Sequence, residues 1–201
     1  MKKTHNINCT LISLKSIFLG VLLCIFFMPS YAQCPDFLNL NSPNITFYTG
    51  RCGSSSSPFG SQSSTPVSNR HTIITSSGND PYCPVPMVPP GETRSIRLGN
   101  SNTGCEAEAI EYSFIVDADN PVLLLKFALV MEDPGHSGPS QPRFIVRVLD
   151  ANGNLVDPCA EYDVHIPGPE EPDYHIPGFI RMSGRSGYYR PWNNVGIDLT
   201  Q

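Results

Sequence analysis

The strongest constraint on how this chain folds is a period-two alternation of apolar and polar residues from Thr93 onward, with no helical stripe. In Ala109 to Val116, Ile110, Tyr112, Phe114 and Val116 point one way, and Glu111 and Ser113 point the other. Arg143 to Asp150 repeats the pattern, setting Phe144, Val146 and Val148 against Arg143, Ile145 and Arg147. Successive side chains of a strand face opposite sides of its sheet, so this spacing predicts half-buried strands. Val122 to Met131 is nearly all apolar, broken only by Lys126, and predicts a central strand buried on both faces. Asn152-Gly153 supplies the positive φ angles of a tight turn between strands.

Gln33 to about Pro90 is of a different character. Ser, Gly and Pro dominate between residues 53 and 66, and Pro84, Pro86, Pro89 and Pro90 remove backbone donors. Two short strands are expected there, Ile45 to Tyr48 and His71 to Thr75. The predicted fold is therefore all-β: an antiparallel β-sandwich over residues 91–201, behind an irregular Ser/Pro/Gly-rich N-terminal preface over residues 33–90.

Residues 1–32 read as a secretory signal peptide. Lys2, Lys3 and Lys15 precede an apolar run from Ile17 to Met28, and Pro29-Ser30-Tyr31-Ala32 sets small residues at the cleavage positions. That run is shorter than the roughly 20 residues a spanning helix needs, so no membrane span is expected after cleavage near Ala32. The expected location is secreted or at the cell surface. The chain carries a formal charge of -5 and no Lys/Arg block, which argues against nucleic acid as a partner.

Export makes disulfides the natural use for the cysteines beyond the leader: Cys34, Cys52, Cys83, Cys105 and Cys159. None is spaced as C-x-x-C. Cys34 and Cys52 are the nearest candidates to pair, and an odd number leaves one thiol over.

Chemistry-bearing residues are few. Gly135-His136-Ser137-Gly138-Pro139 puts Pro where a nucleophile elbow needs its second Gly, so no catalytic residue is assigned and no enzyme is expected. Glu132 and Asp133 at a strand end are candidates for a structural calcium site in a loop, the only cofactor considered. Asp150, Asn152, Asn154 and Glu161 match EF-hand positions, but Leu155 stands where that loop needs Gly. Asp163-Val164-His165-Ile166-Pro167-Gly168 recurs as Asp173-Tyr174-His175-Ile176-Pro177-Gly178, and tolerance of a tandem duplication in a loop is favoured over a metal site. In Tyr188-Tyr189-Arg190-Pro191-Trp192, Tyr188, Tyr189 and Trp192 are the candidate ligand surface, with Trp192 favoured as a core plug.

The string Val88-Pro89-Pro90-Gly91-Glu92, Cys105-Glu106-Ala107-Glu108-Ala109-Ile110, Val130-Met131-Glu132-Asp133-Pro134-Gly135-His136, Gln141-Pro142-Arg143-Phe144, Cys159-Ala160-Glu161-Tyr162-Asp163 and Trp192-Asn193-Asn194-Val195-Gly196-Ile197-Asp198-Leu199 carries a resemblance. It resembles the jelly-roll-like module of large exported surface proteins of gliding-type Gram-negative bacteria, associated with PKD repeats and type IX secretion. The resemblance implies display outside the cell and adhesion or ligand binding, with a glycan or a surface protein as the unknown partner. It brings no catalytic residues. Relatives of that kind continue with further strands, so the module is expected to be incomplete at its C-terminal end. The competing expectation is a carbohydrate-binding module detached from a secreted glycoside hydrolase.

Overall fold

The computed structural model describes residues 39–51, 59–102, 104–116, 121–137, 140–171 and 175–199. All of them belong to the compact unit Cys34–Gln201. The predicted leader, Cys34 and Cys52 lie outside the described residues.

The described chain is all-β, with no α-helix. Its strands are β1 (Ile45–Arg51), β2 (Phe59–Ser63), β3 (His71–Ile74), β4 (Ser95–Leu98), β5 (Glu106–Tyr112), β6 (Val122–Glu132), β7 (Arg143–Arg147), β8 (Glu161–His165), β9 (Ile180–Arg181) and β10 (Gly187–Asp198). They form four antiparallel groups in the orders β2-β1-β5, β6-β10-β9, β3-β4 and β7-β8, with no closed barrel among the described residues. No described helix is long and apolar enough to cross a membrane.

Two apolar clusters organise these groups. Leu40, Ile45 and Phe47 are buried with Ile96, Ile110 and Tyr112 packed against them. The second joins Phe127, Leu129 and Met131 of β6 to Val164 of β8 and to Ile166 and Ile176 beyond it, with Phe144, Tyr162 and Tyr188 at its margin. Burial of each large apolar side chain contributes about 1.5–3 kcal/mol. Side chains from β6 and β10 thus meet side chains from β7 and β8 across one core, which is consistent with a β-sandwich.

Three expectations need adjustment. The preface is not separate in space: β1 pairs with β5 along its whole length, and β3 pairs with β4, both across the boundary near residue 90. Ladder hydrogen bonds satisfy the backbone of β1 and β3, which the loop-like composition around them concealed. β5 begins at Glu106 and ends at Tyr112, so Phe114 and Val116 lie beyond it.

β6 is the third, since it is buried on one face only. Phe127, Leu129 and Met131 point inward, while Val122, Leu124 and Val130 remain 58%, 59% and 38% exposed. Among the described strands only β10 pairs with it. Lys126, which looked like an interruption, is part of the alternation: it shares the outer face and pairs with Glu92.

Candidate functional site

Where the end of β6 and β9 flank the start of β10, the loop after β8 folds over the inner face of the sheet. Between them lies an open cleft of about 490 Å³. Ile176, Phe179 and Tyr188 supply its apolar wall, and the same three residues belong to or pack on the main core. A rigid core therefore positions the aromatic edge of the cleft.

Four polar side chains complete the lining: Asp133, Glu171, His175 and Arg181. Asp133 follows β6, and its Oδ1 accepts from the Gly135 N–H (3.0 Å) and from Gln141 Nε2 (3.1 Å). Gln141 is buried and also donates to the Pro167 carbonyl (2.9 Å), tying both walls together, while its Oε1 has no partner. Glu171 Oε2 accepts from the Gly168 N–H and from His165 Nε2, each at 3.2 Å. Each carboxylate thus spends one oxygen on holding a loop. Among the described residues neither Arg181 nor His175 has an ion-pair partner.

Behind this wall sits Arg190, on the inner face of β10 opposite Leu129. It donates to the Tyr162 hydroxyl, and its guanidinium lies 5.6, 5.5 and 6.0 Å from the rings of Phe127, Tyr162 and Phe179. No described carboxylate pairs with it, so aromatic faces carry much of its stabilisation.

The residues singled out from sequence separate. Cross-strand partners share a face of a sheet. Tyr188 is opposite Met131 and Arg181 and lines the cleft, whereas Tyr189 is opposite Val130 and Ile180 on the outer face. Trp192 is half-buried, and its Nε1 donates to the Pro86 carbonyl at 2.6 Å, away from the cleft. Glu132 is exposed and pairs with Arg185, while Asp133 turns into the cleft. Among the described residues no group of three or more His, Cys, Asp or Glu is placed to hold a metal ion. The Asp150 carboxylate is used inside its own turn: the backbone N–H groups of Asn154 and Asn152 hold its pKa below the ordinary range.

Glu171, His175, Phe179 and Arg181 were not visible as a site in the sequence. The duplicated segment was the available signal. Ile166 and Ile176, equivalent in its two copies, enter the same core, and the loop between them forms one side of the cleft.

No protein-family model matches this chain, nor does any curated protein or solved structure.

Proposed function

We propose that this chain is an exported, non-catalytic β-sandwich module of jelly-roll type, from a cell-surface adhesin-like protein, and that it binds its ligand in the cleft beside Tyr188. The cleft carries this proposal: an aromatic wall faces groups with hydrogen-bonding capacity to spare, namely Arg181, His175 and one oxygen each of Asp133 and Glu171. Fixed apolar walls with a few converging polar groups are the usual make-up of a ligand site. The non-catalytic assignment draws support from the groups the sequence offers for catalysis. His71 is buried and hydrogen-bonded at both ring nitrogens, and the His136 ring lies 3.4 Å from the Ser140 carbonyl.

The second reading is a detached carbohydrate-binding module. Tyr188 and Phe179 beside two carboxylates favour it, because aromatic faces stack on sugar rings while carboxylates accept from their hydroxyls. Both readings are tested by binding of the purified chain to a glycan array and to intact cells. Tyr188→Ala should lower the melt, because Tyr188 also packs on the core. At a temperature where the variant is still folded, it should lower saturable binding at least about tenfold, a loss of roughly 1.4 kcal/mol. Tyr189→Ala, on the opposite face, should not lower binding. Binding to isolated polysaccharide selects the second reading, and binding to cells alone selects the first. Equal binding by wild type and Tyr188→Ala would remove the cleft from both.

A further inference from the structure

Arg51 and Glu106 are the last residue pair of the β1–β5 ladder. One step further along each strand stands a cysteine: Cys52 follows Arg51, and Cys105 precedes Glu106. We infer that Cys52 and Cys105 form a disulfide that closes this end of the ladder.

The register supplies the distance. Directly opposed residues of an antiparallel pair have Cα atoms about 4.5–5.5 Å apart. A disulfide spans Cα separations of about 4.4–6.8 Å. Cys105 leaves the strand at φ 57. Cys52 and Cys105 are each one peptide link, about 3.8 Å, from the paired Arg51 and Glu106, so a Cα separation in that range is within reach of the two. The state of the other thiols agrees. Cys105 is disulfide-bonded, while Cys83 and Cys159 are free. Cys83 is buried with its sulfur 3.8 Å from the Asp80 carboxylate. Beyond the leader this leaves Cys34 and Cys52 as partners for Cys105, and only Cys52 follows directly on a strand that pairs with β5. The pairing takes precedence over Cys34 with Cys52 and leaves Cys34 a thiol, as Cys83 and Cys159 are.

Bond formation joins the two sulfur atoms and releases two protons and two electrons. A disulfide-bearing oxidant, either a protein thiol oxidase or a small-molecule disulfide, accepts them and is reduced to two thiols. Such oxidants act in export compartments, so formation in the cell rests on the export proposed above. The bond would fasten the ladder where Arg70 already donates to the carbonyls of Gly50 and Ala107.

Tryptic mapping without reduction tests the inference, because cleavage after Arg51, Arg70, Arg94, Arg97, Lys126 and Arg147 places Cys34, Cys52, Cys83, Cys105 and Cys159 in five different peptides. The full chain is recovered from cells that express it with its own leader, and a second sample is refolded from denaturant in a glutathione redox buffer. Free thiols are then capped with iodoacetamide. Peptide 52–70 joined to peptide 98–126 is expected in both samples, with Cys83 and Cys159 capped. A refolded sample that links the peptide holding Cys34 and ending at Arg51 to either of these, or that carries caps on both Cys52 and Cys105, overturns the inference. A bond present after refolding and absent from the cellular sample counts against export and leaves the pairing standing.

Discussion

Arg70 and Glu106 form an ion pair of 3.1 Å across two strand groups, with the Arg70 side chain only 15% exposed. The same guanidinium pairs with Glu108 and donates to the carbonyls of Gly50 (3.0 Å) and Ala107 (3.1 Å). One planar fork thus joins the turn before β3 to β1 and β5. Removing it takes the cation from both carboxylates, of which Glu106 keeps the Asn100 amide, and a donor from each of the two carbonyls in a poorly hydrated place. Arg70→Ala should therefore cost about 3 kcal/mol in urea unfolding. Arg70→Lys should recover less than half of that, because an ammonium cannot reproduce the fork. Equal stability of Arg70→Lys and wild type would show that charge alone matters here.

His71 makes the fold sensitive to mild acid. It is buried, its Nδ1 accepts from the Val67 N–H (3.2 Å), and its Nε2 donates to the Ala109 carbonyl (3.2 Å), so the ring is held neutral. Desolvation by burial lowers its pKa below the ordinary 6.5. The unfolded chain then binds a proton that the folded chain refuses, so this contribution is complete above 6.5 and is lost as pH falls toward the folded value. Thermal melts should show Tm dropping between pH 7 and pH 5. His71→Phe should melt lower at pH 8, by about 1–3 kcal/mol for the two abandoned hydrogen bonds, yet lose less over that interval. Asp163, whose pKa Arg143 depresses, acts only in stronger acid, below the ordinary 3.8.

Strand β7 was legible because alternation is a local property, and β1 and β3 showed as short strand candidates between turn-rich stretches. Phe144 and Val146 turn inward and Arg143, Ile145 and Arg147 turn outward along β7, as their spacing requires. What was not legible depends on pairing. Nothing local in Ile45 to Arg51 says that it joins β5, and nothing in Val122 to Met131 says that Val122, Leu124 and Val130 stay exposed. The cleft is the extreme case. Asp133, Glu171 and Arg181 are distant in sequence and converge only through the loop after β8, and the duplication that builds that loop resembled a neutral accident. Adjacent Tyr188 and Tyr189 looked like one aromatic surface, but strand geometry sends them to opposite faces.

Trp192 ties the long strand β10 to the proline-rich connector. Its indole N–H donates to the Pro86 carbonyl, a half-buried contact between segments far apart in sequence. Trp192→Phe keeps an aromatic ring but deletes the donor and part of the half-buried indole, so it should cost at least about 1 kcal/mol by chemical denaturation followed by circular dichroism. It is also the only tryptophan in the chain. Its emission in the wild type should therefore shift to the red when the connector leaves β10. A shift at lower urea than the loss of β signal would show that this contact opens first.

Gly187 and Gly196 lie on the same strand and should respond oppositely to the same substitution. Gly187 starts β10 at φ +154 opposite Glu132, and a Cβ there would sit 2.6 Å from the Met131 carbonyl oxygen and 3.2 Å from Glu132 Cα. Both neighbours are backbone within the ladder and cannot withdraw without parting β6 from β10. Gly187→Ala should cost about 3 kcal/mol, the upper range for forcing an atom into packed structure. The displacement passes directly to Tyr188, so ligand binding should weaken as well. At Gly196 the nearest atom to an added Cβ is Val122 Cγ1 at 3.9 Å, an ordinary contact. Gly196→Ala should leave stability unchanged or raise it by about 0.4–1 kcal/mol, because alanine restricts the unfolded chain. Urea titration of the two variants side by side checks the pairing of β6 with β10: similar costs at both positions would mean that the ladder does not run in this register.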